Sequence, residues 1–126
     1  MAHAVTMHRP VVPAGIPDTA AMVHGGLVFT AGLCAVDPET GEVRLASFEE
    51  EARMTLDHLC TVLEAAGSST DRVLKVTVYL QDVLDYRAWN DIYERVFSPP
   101  YPARVCIQAA GMPFDVRVQV EAVAHL

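Results

Sequence analysis

The chain has 126 residues, 52% of them hydrophobic, with nine basic and sixteen acidic side chains for a formal charge of −7. That length suits one domain with its own core, and a charged fraction of 20% excludes wholesale disorder. No apolar run is long enough to span a membrane, and Lys75 is the single lysine among scattered arginines, so neither a membrane nor a nucleic-acid partner is expected.

In chain order, Met1 to Pro13 lacks the apolar centre of a signal peptide, which makes the cytoplasm the expected compartment. One extra strand is expected near Val5–His8. A strand pair follows, Ala20–His24 and Leu27–Ala31, around Gly25-Gly26, the pattern of a two-residue hairpin. Asp37-Pro38 and Thr40-Gly41 punctuate a loop. Ser47 and Glu50 form an S-x-x-E capping box, and Glu49, Glu50 and Glu51 occupy a first turn where the helix dipole favours acids. Apolar residues recur at Ala52, Leu56, Leu59, Leu63 and Ala66 before Gly67, so a helix is expected over Phe48–Ala66. His58, two residues past Leu56, is expected to face solvent.

Arg72–Leu80 alternates, with Leu74, Val76, Val78 and Leu80 on one face and Lys75, Thr77 and Tyr79 on the other. A second helix is expected over Tyr86–Phe97, capped by Asp85, with Trp89, Ile92, Tyr93 and Val96 as its apolar stripe. Ser98-Pro-Pro-Tyr-Pro102 cannot extend it. Two strands close the chain, Arg104–Ala109 and Val116–Ala124, separated by Gly111–Pro113. The order ββ–α–β–α–ββ implies an α+β, two-layer fold with both helices on one face of the sheet. The uncovered face is expected to carry Lys75, Thr77, Arg104, Cys106, Gln108, Arg117, Gln119 and Glu121. It is either solvated or shared with other subunits.

Two residues stand out chemically. Arg104 follows Tyr101-Pro102-Ala103 into a strand; it either pairs with an acid or binds a ligand carboxylate through two parallel hydrogen bonds. Glu121 sits in the apolar ending Val120-Glu121-Ala122-Val123-Ala124; it is either the partner of Arg104 or Arg117, or a group for acid–base work. Cys34, Cys60 and Cys106 form no CxxC, and the five histidines form no HxH or HxxxH, so free thiols are expected and no metal site is. Cys106 has no neighbouring activator and reads as an inert thiol. Asn90, beside Trp89, is either exposed or braces a loop. No GxGxxG, P-loop, GxSxG or HExxH occurs.

From about Gly15 to the C-terminus the sequence resembles the reactive-intermediate deaminase (Rid, YjgF) family. The stretches that carry the resemblance are Phe29-Thr-Ala-Gly32, Asp37-Pro-Glu-Thr-Gly41, Leu63-Glu-Ala-Ala-Gly67-Ser-Ser69, Val76-Thr-Val-Tyr-Leu80, Trp89-Asn-Asp-Ile-Tyr93, Tyr101-Pro-Ala-Arg104 and Val120-Glu-Ala-Val123. The resemblance implies a chorismate-mutase-like subunit with a mixed sheet, a homotrimer with active sites between subunits, and no metal or organic cofactor. It implies hydrolysis of enamines and imines of the 2-aminoacrylate and 2-iminopropionate type to a keto acid and ammonia. It places the substrate carboxylate on Arg104 and the attacking water on Glu121, with Asn90, Cys106, Gly32, Ala31, Asp18 and Tyr101 around the substrate. The chain departs from the family pattern at Asp18, often tyrosine; at Ala31, often serine; at Leu33, often glutamine; and at Val105, usually Ser or Thr. An acid at Asp18 near Arg104 would compete with a substrate carboxylate. That predicts a larger or amine-bearing substrate. A carboxylate-binding protein without catalysis, and a diverged pathway-specific deaminase or lyase, are the alternatives.

Overall fold

In the computed structural model, which describes residues 1–126, Gly25 and Gly26 both take positive φ, 59° and 77°. Such a pair makes a two-residue turn whose twist matches its flanking strands. It joins β2 (Ala21–His24) to β3 (Leu27–Thr30), and β1 (His3–Ala4) pairs antiparallel with β2. The first strand thus lies ahead of the expected Val5–His8. Its last bond runs from the Val5 N–H to the Ala21 carbonyl, 2.9 Å, and beyond it Pro10 and Pro13 cannot donate to a ladder.

α1 spans Phe48–Ala65. The Ser47 Oγ accepts the Glu50 N–H at 3.3 Å, which satisfies one free donor of the first turn. At the other end Gly67 takes φ +86°, and the Ser68 N–H reaches back to the Leu63 carbonyl at 2.8 Å, closing the helix with a Schellman turn. After β4 (Val73–Leu80), α2 covers only Tyr86–Tyr93. The expected run to Phe97 ends in a turn, with the Phe97 N–H still bonded to the Tyr93 carbonyl at 3.0 Å. Asp85 precedes α2 without capping it; Asp82 caps the short turn before it, accepting the Leu84 N–H at 2.9 Å. β5 (Ala103–Gln108) and β6 (Val118–His125) complete the chain.

The six strands form one sheet in the order β1-β2-β3-β6-β4-β5. Only β4 and β5 are parallel, joined by α2 as a crossover. Val76, Val78 and Leu80 of β4 and Val118, Val120, Ala122 and Ala124 of β6 are buried with Leu56, Leu59 and Leu63 of α1 and Trp89 and Ile92 of α2. Helices therefore cover one face, as an α+β two-layer fold requires.

Strand register corrects two expectations and loop packing a third. A bulge between Val73 and Lys75 puts Val73 in the core and turns Leu74 out, 48% exposed; one extra residue reverses the alternation. β5 pairs with β4 so that Arg104 lies beside Val76, Cys106 beside Val78 and Gln108 beside Leu80. These three share the helix-side face, not the open one. Val105 and Ile107 take the open face instead, each nearly half exposed. His58 is only 6% exposed, because the loop at Val36 packs over that flank of α1 and its carbonyl lies 2.7 Å from the His58 Nε2.

Candidate active site

Arg104 enters β5 directly after Tyr101-Pro102-Ala103, and its register turns it beneath α2. Three α2 residues separated by four and three positions, Tyr86, Asn90 and Tyr93, present one side of the helix to it. The Arg104 Nη2 donates to the Asn90 Oδ1 at 2.7 Å and to the Tyr86 hydroxyl at 3.3 Å. The guanidinium carbon lies 4.8 Å from the Tyr93 ring centre and 5.6 Å from that of Tyr86, within reach of cation–π attraction. Every partner is neutral. The ion pairs of the chain join Arg53 and Arg95 to Glu49 and Arg117 to Glu51, and Arg104 has no acid within 4.0 Å. Its remaining donors border a cavity of about 290 Å³ lined by Asn90, Tyr93, Glu94, Tyr101 and Pro102. A fixed guanidinium fork with free donors has the geometry to receive a carboxylate.

Tyr93 is buried, and its hydroxyl finds no partner. Burial pushes its pKa up to about 12 against the opposing pull of Arg104. Cys106 follows on the same face; burial raises its thiol pKa, with Arg104 acting in the opposite sense. A protonated thiol is a poor nucleophile, in keeping with the inert reading.

Glu121 lies opposite Thr77 and therefore on the open face. Neither Arg104 nor Arg117 pairs with it; its partner is the Tyr79 hydroxyl, which donates to Oε1 at 3.3 Å. Glu121 stands between two hollows. One, about 150 Å³, is lined by Tyr79, Gly111, Met112 and Gln119 among others. The other, about 180 Å³, includes Thr30, Lys75 and Thr77. Leu33 and Val120 exchange backbone hydrogen bonds at 2.7 and 2.9 Å, which brings Gly32 against β6. A Cβ on Gly32 would meet the Gln119 side-chain amide, which would have to swing aside. Ala31, beside it, donates its N–H to the Ala20 carbonyl at 2.8 Å.

Arg104, Asn90 and Tyr101 meet at one cavity, while Glu121 and Gly32 belong to another neighbourhood, across the sheet. Asp18 joins neither. It lines a groove of about 410 Å³ with His8 and Arg9, and its carboxylate accepts the Thr19 N–H at 2.8 Å. Within one chain Asp18 does not share a pocket with Arg104. Sequence reasoning missed Tyr86, Tyr93, Tyr79 and Gln119 as site residues. The signal for Tyr86 and Tyr93 is their helical spacing from Asn90. The signal for Tyr79 and Gln119 is the alternation that puts both on the face of Glu121.

The family profile described as endoribonuclease L-PSP matches residues 12–126. A "RutC family protein" of Pyrococcus horikoshii is 38% identical over 109 residues, 86% of each chain. The protein named "Putative reactive intermediate deaminase TdcF" in Escherichia coli is 37% identical over 103 residues, 79% of each chain. A crystal structure of E. coli TdcF with bound serine has a TM-score of 0.88 to this chain at 32% identity, covering 98% of both.

Proposed function

The chain belongs to the reactive-intermediate deaminase (Rid, YjgF) family, and on that premise we propose that it hydrolyses small 2-imino or 2-enamino carboxylates to a keto acid and ammonia, without a cofactor. The observation that carries this reading is Arg104: a guanidinium held by an amide and two phenol rings, with no acid on it and free donors at a cavity. Such a group is set for an external carboxylate and orients the adjoining C=N carbon. Glu121 accepts a proton from water as the oxygen bonds to that carbon and the C=N π electrons pass to nitrogen. That proton then moves to nitrogen and a second passes to it from the new hydroxyl; the C–N bond breaks as the oxygen lone pair forms C=O, and ammonia leaves, an enamine entering this sequence through its imine tautomer.

Arg104 and Glu121 lie on opposite faces of one sheet, so one site that uses both takes Arg104 from one copy and Glu121 from the next. Phe29, Val105 and Ile107 on the open face are each nearly half exposed, which supports burial of that face in a homotrimer. The charge of −7 counts against the ribonuclease activity in the family's description, since RNA binding draws on clustered Lys and Arg.

The test follows ammonia and keto acid release from imines generated in situ by an amino-acid oxidase. Glu121→Gln is expected to lower turnover about 100-fold or more while a bound keto acid is still held by Arg104. Unchanged turnover in this variant, or none in wild type on any imine, refutes the proposal.

A further inference from the structure

β4 and β6 pair with Tyr79 opposite Gln119 and Thr77 opposite Glu121. Tyr79 is thus the diagonal neighbour of Glu121 on the open face, within reach of a long side chain. Its O–H donates to the Glu121 Oε1, the single side-chain hydrogen bond that the carboxylate receives from its own chain. A glutamate on an open sheet face otherwise samples several rotamers, and a water-directing carboxylate must hold one.

We propose that Tyr79 is a positioning residue for Glu121: its phenol claims Oε1 and leaves Oε2 to direct the attacking water. This rests on the deaminase reading of Glu121 and adds a residue to it. Two observations support it besides the bond itself. The hollow of about 150 Å³ that Tyr79, Gln119 and Glu121 line together exceeds the roughly 10–15 Å³ that one water requires. Partial burial first, and then the charge and hydrogen bond of Glu121, raise the phenol pKa above its usual value, so the donor keeps its proton through the physiological range. At 3.3 Å the bond is longer than a strong O–H···O contact of about 2.5–3.0 Å, which sets a moderate effect.

The experiment is a double-mutant cycle on imine hydrolysis with wild type, Tyr79→Phe, Glu121→Gln and the double variant. Tyr79→Phe keeps the ring and removes the donor. It is expected to lower kcat about 5- to 10-fold with KM changed less than about twofold, and to cost nothing further in the Glu121→Gln background. An equal loss in both backgrounds, an effect on KM alone, or an unchanged kcat overturns the proposal. A readout free of turnover separates this from failure of the deaminase reading. In protein labelled at tyrosine Cζ, the Tyr79 resonance, assigned through Tyr79→Phe, is titrated in wild type and Glu121→Gln. Its midpoint is expected to fall when the carboxylate is removed. An unmoved midpoint overturns the contact itself, whatever reaction the site performs.

Discussion

Arg104→Ala protein and Glu121→Gln protein, each inactive alone, are expected to recover about one quarter of the wild-type rate when unfolded, mixed equally and reassembled. The expectation follows from the sheet. Arg104 is turned beneath α2 and Glu121 outward on the other face, so the proposed site draws them from different copies. Each mixed interface is complete when the copy lending its guanidinium is the Glu121 variant and the copy lending its carboxylate is the Arg104 variant. Random association makes that about one interface in four in a closed ring. A site built within one chain gives no recovery at any ratio, because every chain in the mixture lacks one of the two groups. Alone, Arg104→Ala should lower kcat/KM by about 100- to 1,000-fold, the loss of a desolvated charge pair with the substrate at roughly 3–4 kcal/mol. Circular dichroism and sedimentation of each variant, with reassembled wild type as the reference, separate this result from a failure to fold or assemble.

Replacing Glu51 is expected to be the costliest polar change for stability. Glu51 reads in the sequence as one of three acids in the first turn of α1, yet it is 1% exposed. Its Oε1 accepts the Arg117 N–H at 2.9 Å and its Oε2 the Ala46 N–H at 3.1 Å. The Arg117 Nε lies 3.7 Å from Oε2 and donates to the Ala46 carbonyl at 3.0 Å. One carboxylate thus ties α1 to the loop before it and to the chain entering β6, the strand that carries Glu121. Glu51→Ala strands two backbone donors at about 1–3 kcal/mol each and leaves a void beside them. A loss of about 3–5 kcal/mol is expected, a large share of the roughly 5–15 kcal/mol that holds such a domain. Glu51→Gln retains the shape and one acceptor and should lose about half as much. Urea denaturation reads both through a lower midpoint at unchanged slope; a loss below about 1 kcal/mol for Glu51→Ala contradicts the account.

The elements were legible because their local chemistry agrees with the fold. Gly25-Gly26 makes the expected hairpin, Ser47 caps α1, Gly67 ends it, and the even positions from Val118 to Ala124 face inward. What failed were inferences about faces, which local pattern cannot settle. The alternation of β5 groups Arg104, Cys106 and Gln108 correctly, but which face they take depends on the parallel register with β4. The rule that apolar residues point inward misleads at an edge strand whose Val105 and Ile107 turn outward. The bulge at Val73–Lys75 inverted Leu74 for a related reason: an inserted residue has no signature in alternation alone. His58 and Glu51 lie off the apolar stripe of α1, and only the loops packed on that side bury them. Within the candidate site, the resemblance puts Arg104 and Asn90 around one substrate and the structure puts them at one cavity, whereas of their aromatic neighbours Tyr86 reads only as the start of the second helix and Tyr93 as part of its apolar stripe. Nothing local says that a guanidinium lies against a ring.

The neutral setting of Arg104 has a consequence for how the protein answers to acidity. The guanidinium keeps its charge throughout the physiological range, Asn90 does not titrate, and the phenol of Tyr93 stays protonated up to about 12. Neither Asn90 nor Tyr93 therefore changes state between mildly acidic and mildly alkaline conditions, where an ordinary substrate carboxylate is also fully ionised. On the proposed reading, carboxylate recognition at Arg104 is expected to be indifferent to pH. Under the same reading, pH dependence is expected to enter through the imine and the proton transfers of catalysis, in kcat and not in affinity.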